Sequence, residues 1–404
     1  MTSQQKEDIL VNNLIDRIHA LNEDILEIIG ERLKQIGELT PTQIHQIQQM
    51  LLYDEDIRKI IELIADSTNM NVVDIYSMFD YVAMNNQEFA KPYYRARGVK
   101  YIPYSQNKVL KKQVNAIANI TARQYINLAN TTVLGYTIKD KNGRAVFSTI
   151  SDTYKELIDK AILSVSQGKE TYQQQMRKII KEIGESGLKT VNYESGYSRR
   201  LDSAIRMNIQ EGITTMTNDI QKQFGKEFMA DGIEVSHHIN SAPDHIDTVD
   251  GKQFSLNGDK VVNGKLYKNF DEVNNSLDRQ VGTLNCRHYV FSIVLGISRP
   301  QYSNKQLRAD KNRNKTGFYF DGEHYTMYEG TQLQRRIETE IRKAKDVQIL
   351  AKASGDKDLT LTSQQRITQL TTKYRQLCRE SGLPNQLKTR ALVVAYHRKN
   401  VAKM

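Results

Sequence analysis

Gly232-Ile-Glu-Val-Ser-His-His-Ile-Asn-Ser-Ala-Pro-Asp-His245, then Asp250-Gly-Lys-Gln-Phe-Ser255 and, after a polar excursion, Gly282-Thr-Leu-Asn-Cys-Arg-His-Tyr-Val-Phe-Ser-Ile-Val-Leu-Gly-Ile-Ser298, is the stretch on which the fold turns. It gathers residue types that the rest of the chain avoids: four of the eight histidines (His237, His238, His245, His288), one of the two cysteines (Cys286) and one of the six prolines (Pro243). Short β-prone runs between turn formers mark a small β-rich domain. On both sides the apolar residues recur at three- and four-residue steps, the period of amphipathic helices. The expected fold class is α+β, predominantly helical, with long amphipathic helices around one small β-rich domain.

Upstream, Leu10, Leu14, Ile18, Leu21, Ile25, Ile28 and Ile29 form one stripe on a long helix that Gly30 weakens without ending. Leu39-Thr-Pro-Thr42 marks a new start, and separate helices are expected over 42–53, 54–66 and 72–85. Pro92, Gly98 and Pro103 among tyrosines and bases mark a connector at 91–106. Helical spacing returns from Lys108 to about Ala129, and Asn142-Gly143 predicts a hairpin within 132–150. Thr153 with Glu156 is a candidate capping box. Leu201, Ile205, Ile209, Ile213, Met216 and Ile220 share the face of another long helix. Downstream, Asp321-Gly322 between aromatic runs signals a hairpin, followed by helices from about Thr331, from Thr362 and after Pro384. Four regions result: 1–90, an acidic helical module; 91–231, a helical middle; 232–300, the β-rich domain bearing His and Cys; 301–404, a basic helical region with a short β-hairpin near 317–328.

A length of 404 residues exceeds one ordinary core. The hydrophobic fraction of 39% and mean hydropathy of -0.58 describe a charge-rich chain with long exposed helices. No window approaches the roughly 18 apolar residues that read as a bilayer span. The start, Met1-Thr-Ser-Gln-Gln-Lys-Glu-Asp8, lacks the basic and apolar regions of a signal peptide, so the chain is expected to begin its life in a cytoplasm. Cys286 and Cys378 are too few for a disulfide framework and read as reduced thiols. The net charge of +10 is unevenly spread. Residues 1–90 carry 6 Lys+Arg against 16 Asp+Glu, residues 91–300 carry 30 against 21, and residues 301–404 carry 21 against 10. An acidic end with a basic remainder suits a molecule set between a basic protein surface and a polyanion.

The chemistry-bearing residues admit three readings. His238, His245, Cys286 and His288 are candidate nitrogen and sulfur ligands for a metal, zinc by ligand type, although their spacing is not that of a familiar finger. The bland alternative has these side chains hydrogen-bonding within a turn-rich fold. Asp244-His245-Ile246 also suggests a His-Asn-His nuclease, in which the His is a general base beside a metal, but no partner His follows at suitable spacing before His288. No Gly-rich phosphate loop precedes a helix, and no strong motif marks an enzyme. Among the bases, Arg335, Arg336, Arg342, Lys343, Lys345, Arg398 and Lys399 are candidates for nucleic-acid binding.

At the central stretch the sequence resembles the phage minor capsid protein 2 family of tailed phages infecting Gram-positive bacteria, related to the Mu F-type head morphogenesis proteins. Glu234, Val235, Ser236 and His238, then Pro243 and His245, then Gly251, and finally Gly282, Asn285, Cys286, Arg287 and His288 match the family's pattern. Gly296, Ile297 and Ser298 complete it. Ala242 departs from the usual Arg before Pro243, and Thr248-Val-Asp250 from the usual Trp region, which weakens any binding role assigned there. Flanking likenesses at Asn192-Tyr193 and Tyr328 to Arg342 extend the coverage to about Lys91–Leu383. The resemblance implies a structural protein of the virion, not an enzyme, present in multiple copies and bound to the portal or the major capsid protein. It implies contact with packaged double-stranded DNA during head assembly or ejection, residence in the host cytoplasm during assembly, and no membrane partner before ejection. The competing class is a metal-dependent nuclease or toxin-like transferase carried in the virion.

Overall fold

The computed structural model describes residues 3–40, 43, 49–96, 98–140, 142–166, 169–192, 194–283, 286 and 288–387. The helix expected after Pro384 lies almost wholly outside them, as do Asn285, Arg287, Arg398 and Lys399. Among the described residues helix accounts for 65% and strand for 12%, so the fold is α+β and predominantly helical. No helix among the described residues is long and apolar enough to cross a membrane.

Helix α1 (Ser3–Gly37) buries Leu14, Ile18, Leu21, Ile25, Ile29 and Leu33 at helical spacing, each contributing roughly 1.5–3 kcal/mol by leaving water. Helix α2 (Gln49–Ala96) runs unbroken through the breaks expected between helices 42–53, 54–66 and 72–85; residues 42 and 44–48 of the first of these lie outside the described residues. Its polar interruption, Asp66-Ser-Thr-Asn-Met-Asn71, would ordinarily favour a turn, because such side chains compete for the backbone. Here Asn71 is engaged elsewhere: its Oδ1 accepts from Arg17 at 3.0 Å and its Nδ2 donates to the Tyr125 hydroxyl at 2.8 Å. The helix also runs past Pro92, because Tyr94 is buried edge-on against Phe224 and Phe228. The connector therefore starts later than its prolines suggested, and a short 3-10 turn at Tyr104–Gln106 ends it.

Helix α3 (Lys108–Leu128), capped by Asn107, leads to strands β1 (Leu134–Lys139) and β2 (Ala145–Thr149), the hairpin expected around Asn142-Gly143. Helices α4 (Ile150–Ser166) and α5 (Lys169–Ser186) follow, then β3 (Lys189–Val191), β4 (Ser198–Arg200) and the long α6 (Leu201–Glu227). The four strands pair in the order β2-β1-β3-β4, a sheet outside the central stretch. Two of them are three residues long, too short to show a period. The cap of α4 is Thr149, whose hydroxyl accepts from the Asp152 N–H, not the later Thr153.

The β-rich region contains β5 (Gly232–Val235), helix α7 (Pro243–Ile246), β6 (Gln253–Ser255), β7 (Lys260–Val262), β8 (Lys265–Tyr267), helix α8 (Phe270–Asn275) and β9 (Val290–Ile293). Its main sheet has the order β6-β5-β9, all antiparallel. It docks on α6 through Ser292, whose hydroxyl donates to the Gln221 carbonyl at 2.6 Å. Helix α9 (Asn304–Thr316), hairpin β10 (Phe318–Phe320) and β11 (Glu323–Tyr325), and helices α10 (Met327–Ala353) and α11 (Lys357–Ser381) complete the described elements. Thr326 and Asp356 cap the last two, each upstream of the starts expected at Thr331 and Thr362.

Helix α10 is the point of convergence. A Cβ at Gly30 of α1 would lie 2.5 Å from Ala353 Cβ, and one at Gly184 of α5 2.5 Å from Val347 Cγ2, so both glycines permit close helix contact. Its sequence offered a narrow apolar stripe, yet Gln334, Glu338, Arg342 and Asp346 are buried too. Each finds a partner on another element: Gln334 donates to Tyr374 at 3.0 Å, and the Tyr374 hydroxyl donates to Glu338 at 3.1 Å. Arg342 pairs with Asp202 at 3.3 Å, while Asp346 accepts from Arg200 and Asn22, both at 3.0 Å. Asp202, 2% exposed, also meets His19 at 3.1 Å and Arg200 at 3.6 Å. Its two arginines outweigh burial and hold its carboxyl well below the usual range. Asp202→Ala would remove the carboxylate that the buried Arg342 and Arg200 share, leaving Arg200 to Asp346 alone, and a loss of about 3–5 kcal/mol in chemical denaturation is expected. A loss below about 1 kcal/mol would show that the pairing is energetically idle.

Candidate functional site

The site is assembled where β5 and β9 run out. The Ser236 N–H donates to the Tyr289 carbonyl at 2.8 Å, and its hydroxyl accepts from the Tyr289 N–H at 3.0 Å. These bonds extend the β5–β9 pairing by one step and set residues 237–238 beside Cys286 and His288. Pro243 opens α7 with its φ already suited to a first helical turn, and α7 carries His245 inward. Gly251 has φ +67, and a Cβ there would meet Leu307 at 2.5 Å, so this turn demands glycine.

His245, Cys286 and His288 converge. Their donor atoms all lie within 4.8 Å of one another: His245 Nδ1 to His288 Nδ1 at 3.2 Å, Cys286 Sγ to His288 Nδ1 at 3.3 Å and to His245 Nδ1 at 3.7 Å. All three residues are buried. The outer nitrogens are committed elsewhere, His245 Nε2 to the Arg279 carbonyl at 2.6 Å and His288 Nε2 to Asp250 Oδ1 at 2.8 Å. The fourth candidate, His238, stands beside this group, its ring edge-on to His288 with centroids 4.6 Å apart and its Nε2 3.4 Å from Ser236 Oγ.

Comparison with known proteins decides the family. The family described as Phage minor capsid protein 2 matches residues 3–379. The chain belongs to that family. No curated protein and no solved structure gives a match. Membership makes the chain a structural protein of the phage virion, within head morphogenesis.

Asp250 organises the site of this minor capsid protein, although neither it nor His237 stood among the sequence candidates. It accepts from the His238 N–H at 2.9 Å, Ser241 Oγ at 2.7 Å and His288 Nε2 at 2.8 Å, and its second oxygen meets His237 Nδ1 at 2.5 Å. Burial would raise its pKa, but the bonds from His237, His288, His238 and Ser241 hold the carboxyl far below its ordinary range. Burial likewise disfavours the charged forms of Cys286 and His288. The bonds to both histidines nevertheless draw the Cys286 thiol down to about 5, and Asp250 with Cys286 pushes His288 up to about 9. The group can thus hold either a thiolate–imidazolium pair or a cation bound by all three donors.

The candidate nucleic-acid residues have different fates. Arg335 and Arg336 are exposed on α10, and Lys343 pairs with Glu340 at 2.7 Å. Arg342 is turned inward onto Asp202, so it is withdrawn from any phosphate; the helical period places it on the buried polar row instead. Lys345 is half-buried, which brings its pKa down to about 8. Sequence reasoning passed over α9, where Lys305, Arg308 and Arg313 are exposed. Their signal was the basic composition of residues 299–315.

His237 meets a second carboxylate, Asp310 of α9, through Nε2 at 3.0 Å, while the Tyr302 ring lies edge-on to it. Burial opposes its charge, yet the bonds and charges of Asp250 and Asp310 raise its pKa above the ordinary value. The unfolded His titrates near ~6.5. A raised folded value therefore adds stability that is complete below about pH 6.5 and fades as pH rises through the folded midpoint. Asp310→Asn is expected to lower the His237 midpoint, followed by NMR of its ring protons, and to reduce stability most on the acid side of neutrality. An unmoved midpoint would mean that Asp310 does not support the charge.

Proposed function

We propose that this minor capsid protein is bound at the portal or the major capsid protein, in multiple copies, and contacts packaged double-stranded DNA during head assembly or ejection. The observation that carries the DNA contact is α9: five bases, Lys305, Arg308, Lys311, Arg313 and Lys315, against one acid, Asp310, in 13 residues. Lys311 and Lys315 are drawn to Asp247 at 2.5 and 3.3 Å. Lys305, Arg308 and Arg313 are exposed, as are Arg335 and Arg336 on α10, the helix that α9 packs against. Side chains of this kind recognise phosphate without reading sequence. Binding of a random-sequence duplex by the full chain should weaken steeply with added salt. In Arg308→Glu/Arg313→Glu the log–log salt slope should become shallower by about 1 per lost phosphate contact. Affinity unchanged between low and high salt would refute the contact.

The portal or capsid side of the reading rests on the acidic first 90 residues. Helices α1 and α2 belong to the main core through Leu14, Ile25, Phe79 and Val82, so removing them would unfold the protein. Charge reversal at exposed positions of α2 is the cleaner probe. Glu62→Lys/Asp66→Lys should leave folding intact and lower incorporation into heads, measured by quantitative mass spectrometry of purified virions; undiminished incorporation would count against this face. The nuclease alternative needs an accessible general base. His245 is 1% exposed and committed through Nε2 to a carbonyl, which favours the structural role.

A further inference from the structure

We propose that His245, Cys286 and His288 bind a zinc-class divalent cation that fastens helix α7 to the segment entering β9. Nothing in the portal or DNA reading requires this site, and its failure would leave family membership untouched.

Geometry is the first argument. Zinc sits ~2.0–2.1 Å from imidazole nitrogen and ~2.3 Å from thiolate sulfur, so the edges of a tetrahedron around it are roughly 3.3 Å between nitrogens and 3.6 Å between nitrogen and sulfur. The observed separations of 3.2, 3.3 and 3.7 Å fall on these values. Three donors that are already one coordination edge apart need almost no rearrangement to close on an ion.

Proton placement is the second. The Arg279 carbonyl can only accept, so His245 Nε2 must carry a hydrogen; Asp250 Oδ1 also accepts from the His238 N–H and Ser241 Oγ, so His288 Nε2 carries one too. In the neutral tautomers this leaves both Nδ1 lone pairs aimed at each other across 3.2 Å, a repulsive contact unless a proton or a cation lies between them. Metal-bound histidines ordinarily hand the outer N–H to a carboxylate or a backbone carbonyl, and both arrangements occur here, one on each ring. Asp250 is itself fixed by Ser241, His237 and the His238 N–H, so His288 is oriented before any ion arrives.

Chemistry selects the ion. A thiolate with two imidazoles suits zinc and its neighbours and is a poor host for calcium or magnesium. No further His, Cys, Asp or Glu joins the three among the described residues. His245 and Cys286 stand 41 residues apart, with β6, β7, β8 and α8 between them. One ion would close that whole excursion and restrict the unfolded chain as a cross-link does.

The test uses the full chain purified from zinc-supplemented medium. One equivalent of zinc per chain is expected by elemental mass spectrometry, and chelation should lower Tm. Cobalt added to the stripped protein should give tetrahedral visible bands with a thiolate-to-metal charge-transfer band. That band should vanish in Cys286→Ser and persist in His238→Ala, and Asp250→Asn should weaken zinc affinity by about 10–100-fold. Because the wild-type protein alone decides stoichiometry, a variant that fails to fold does not obscure the answer. Folded protein with substoichiometric zinc and no cobalt bands would overturn the proposal in favour of a metal-free thiolate–imidazolium pair. Cobalt bands without the thiolate transition would overturn it as well, by placing the ion elsewhere.

Discussion

Gln334, Glu338, Arg342 and Asp346 stand one helical turn apart on α10, and the architecture depends on their being satisfied away from water. A buried polar or charged group costs several kcal/mol when alone, so each of these side chains fixes a hydrogen-bonding or oppositely charged partner in place. Asn22 comes from α1, Arg200 from β4, Asp202 from α6 and Tyr374 from α11. The apolar side chains on either side supply most of the burial energy but do not specify register, since leucine and isoleucine pack acceptably in several alignments. A row of polar pairs permits only one. Arg32 with Asp56 repeats the device between α1 and α2, and Tyr154 of α4 donates to the same carboxylate.

The β-rich region uses the same logic on a smaller scale. Its apolar core, built on Ile233, Val235, Val249, Phe254, Val281 and Val290, is modest beside the helical one. Polar bonds around Asp250 hold together β5, the turn before α7, the approach to β9 and, through His237 and Asp310, helix α9. The basic helix is therefore anchored to the His/Cys group that the family pattern marks. Basic and structural residues here lie on adjoining elements, so a change at Asp250 would be felt at the surface of α9.

For a virion protein the arrangement has a mechanical sense. A head component must keep its shape against neighbouring subunits, and directional buried polar contacts resist sliding better than apolar ones of equal area. The exposed bases of α9 and α10 act at longer range, through attraction that salt screens.

The family was legible as a resemblance across Ser236 to His288; period, composition and turn chemistry were enough to show the helical class, the stripes of α1 and α6, and the hairpins around Asn142-Gly143 and Asp321-Gly322. These are local signals, carried by residues within one or two turns of each other. The continuity of α2 depended on Asn71 meeting Arg17 and Tyr125, and the inward turn of Arg342 on Asp202 lying 140 residues away in the chain. Three-residue strands formed because neighbours offered an edge, not because their own residues demanded it. At the centre, the sequence named His245, Cys286 and His288 by their rarity. Only the tertiary structure could bring their donor atoms within 4.8 Å, separate His238 from them and place Asp250 behind them. Distances between side chains far apart in the chain are set by packing, and packing leaves no period in a sequence.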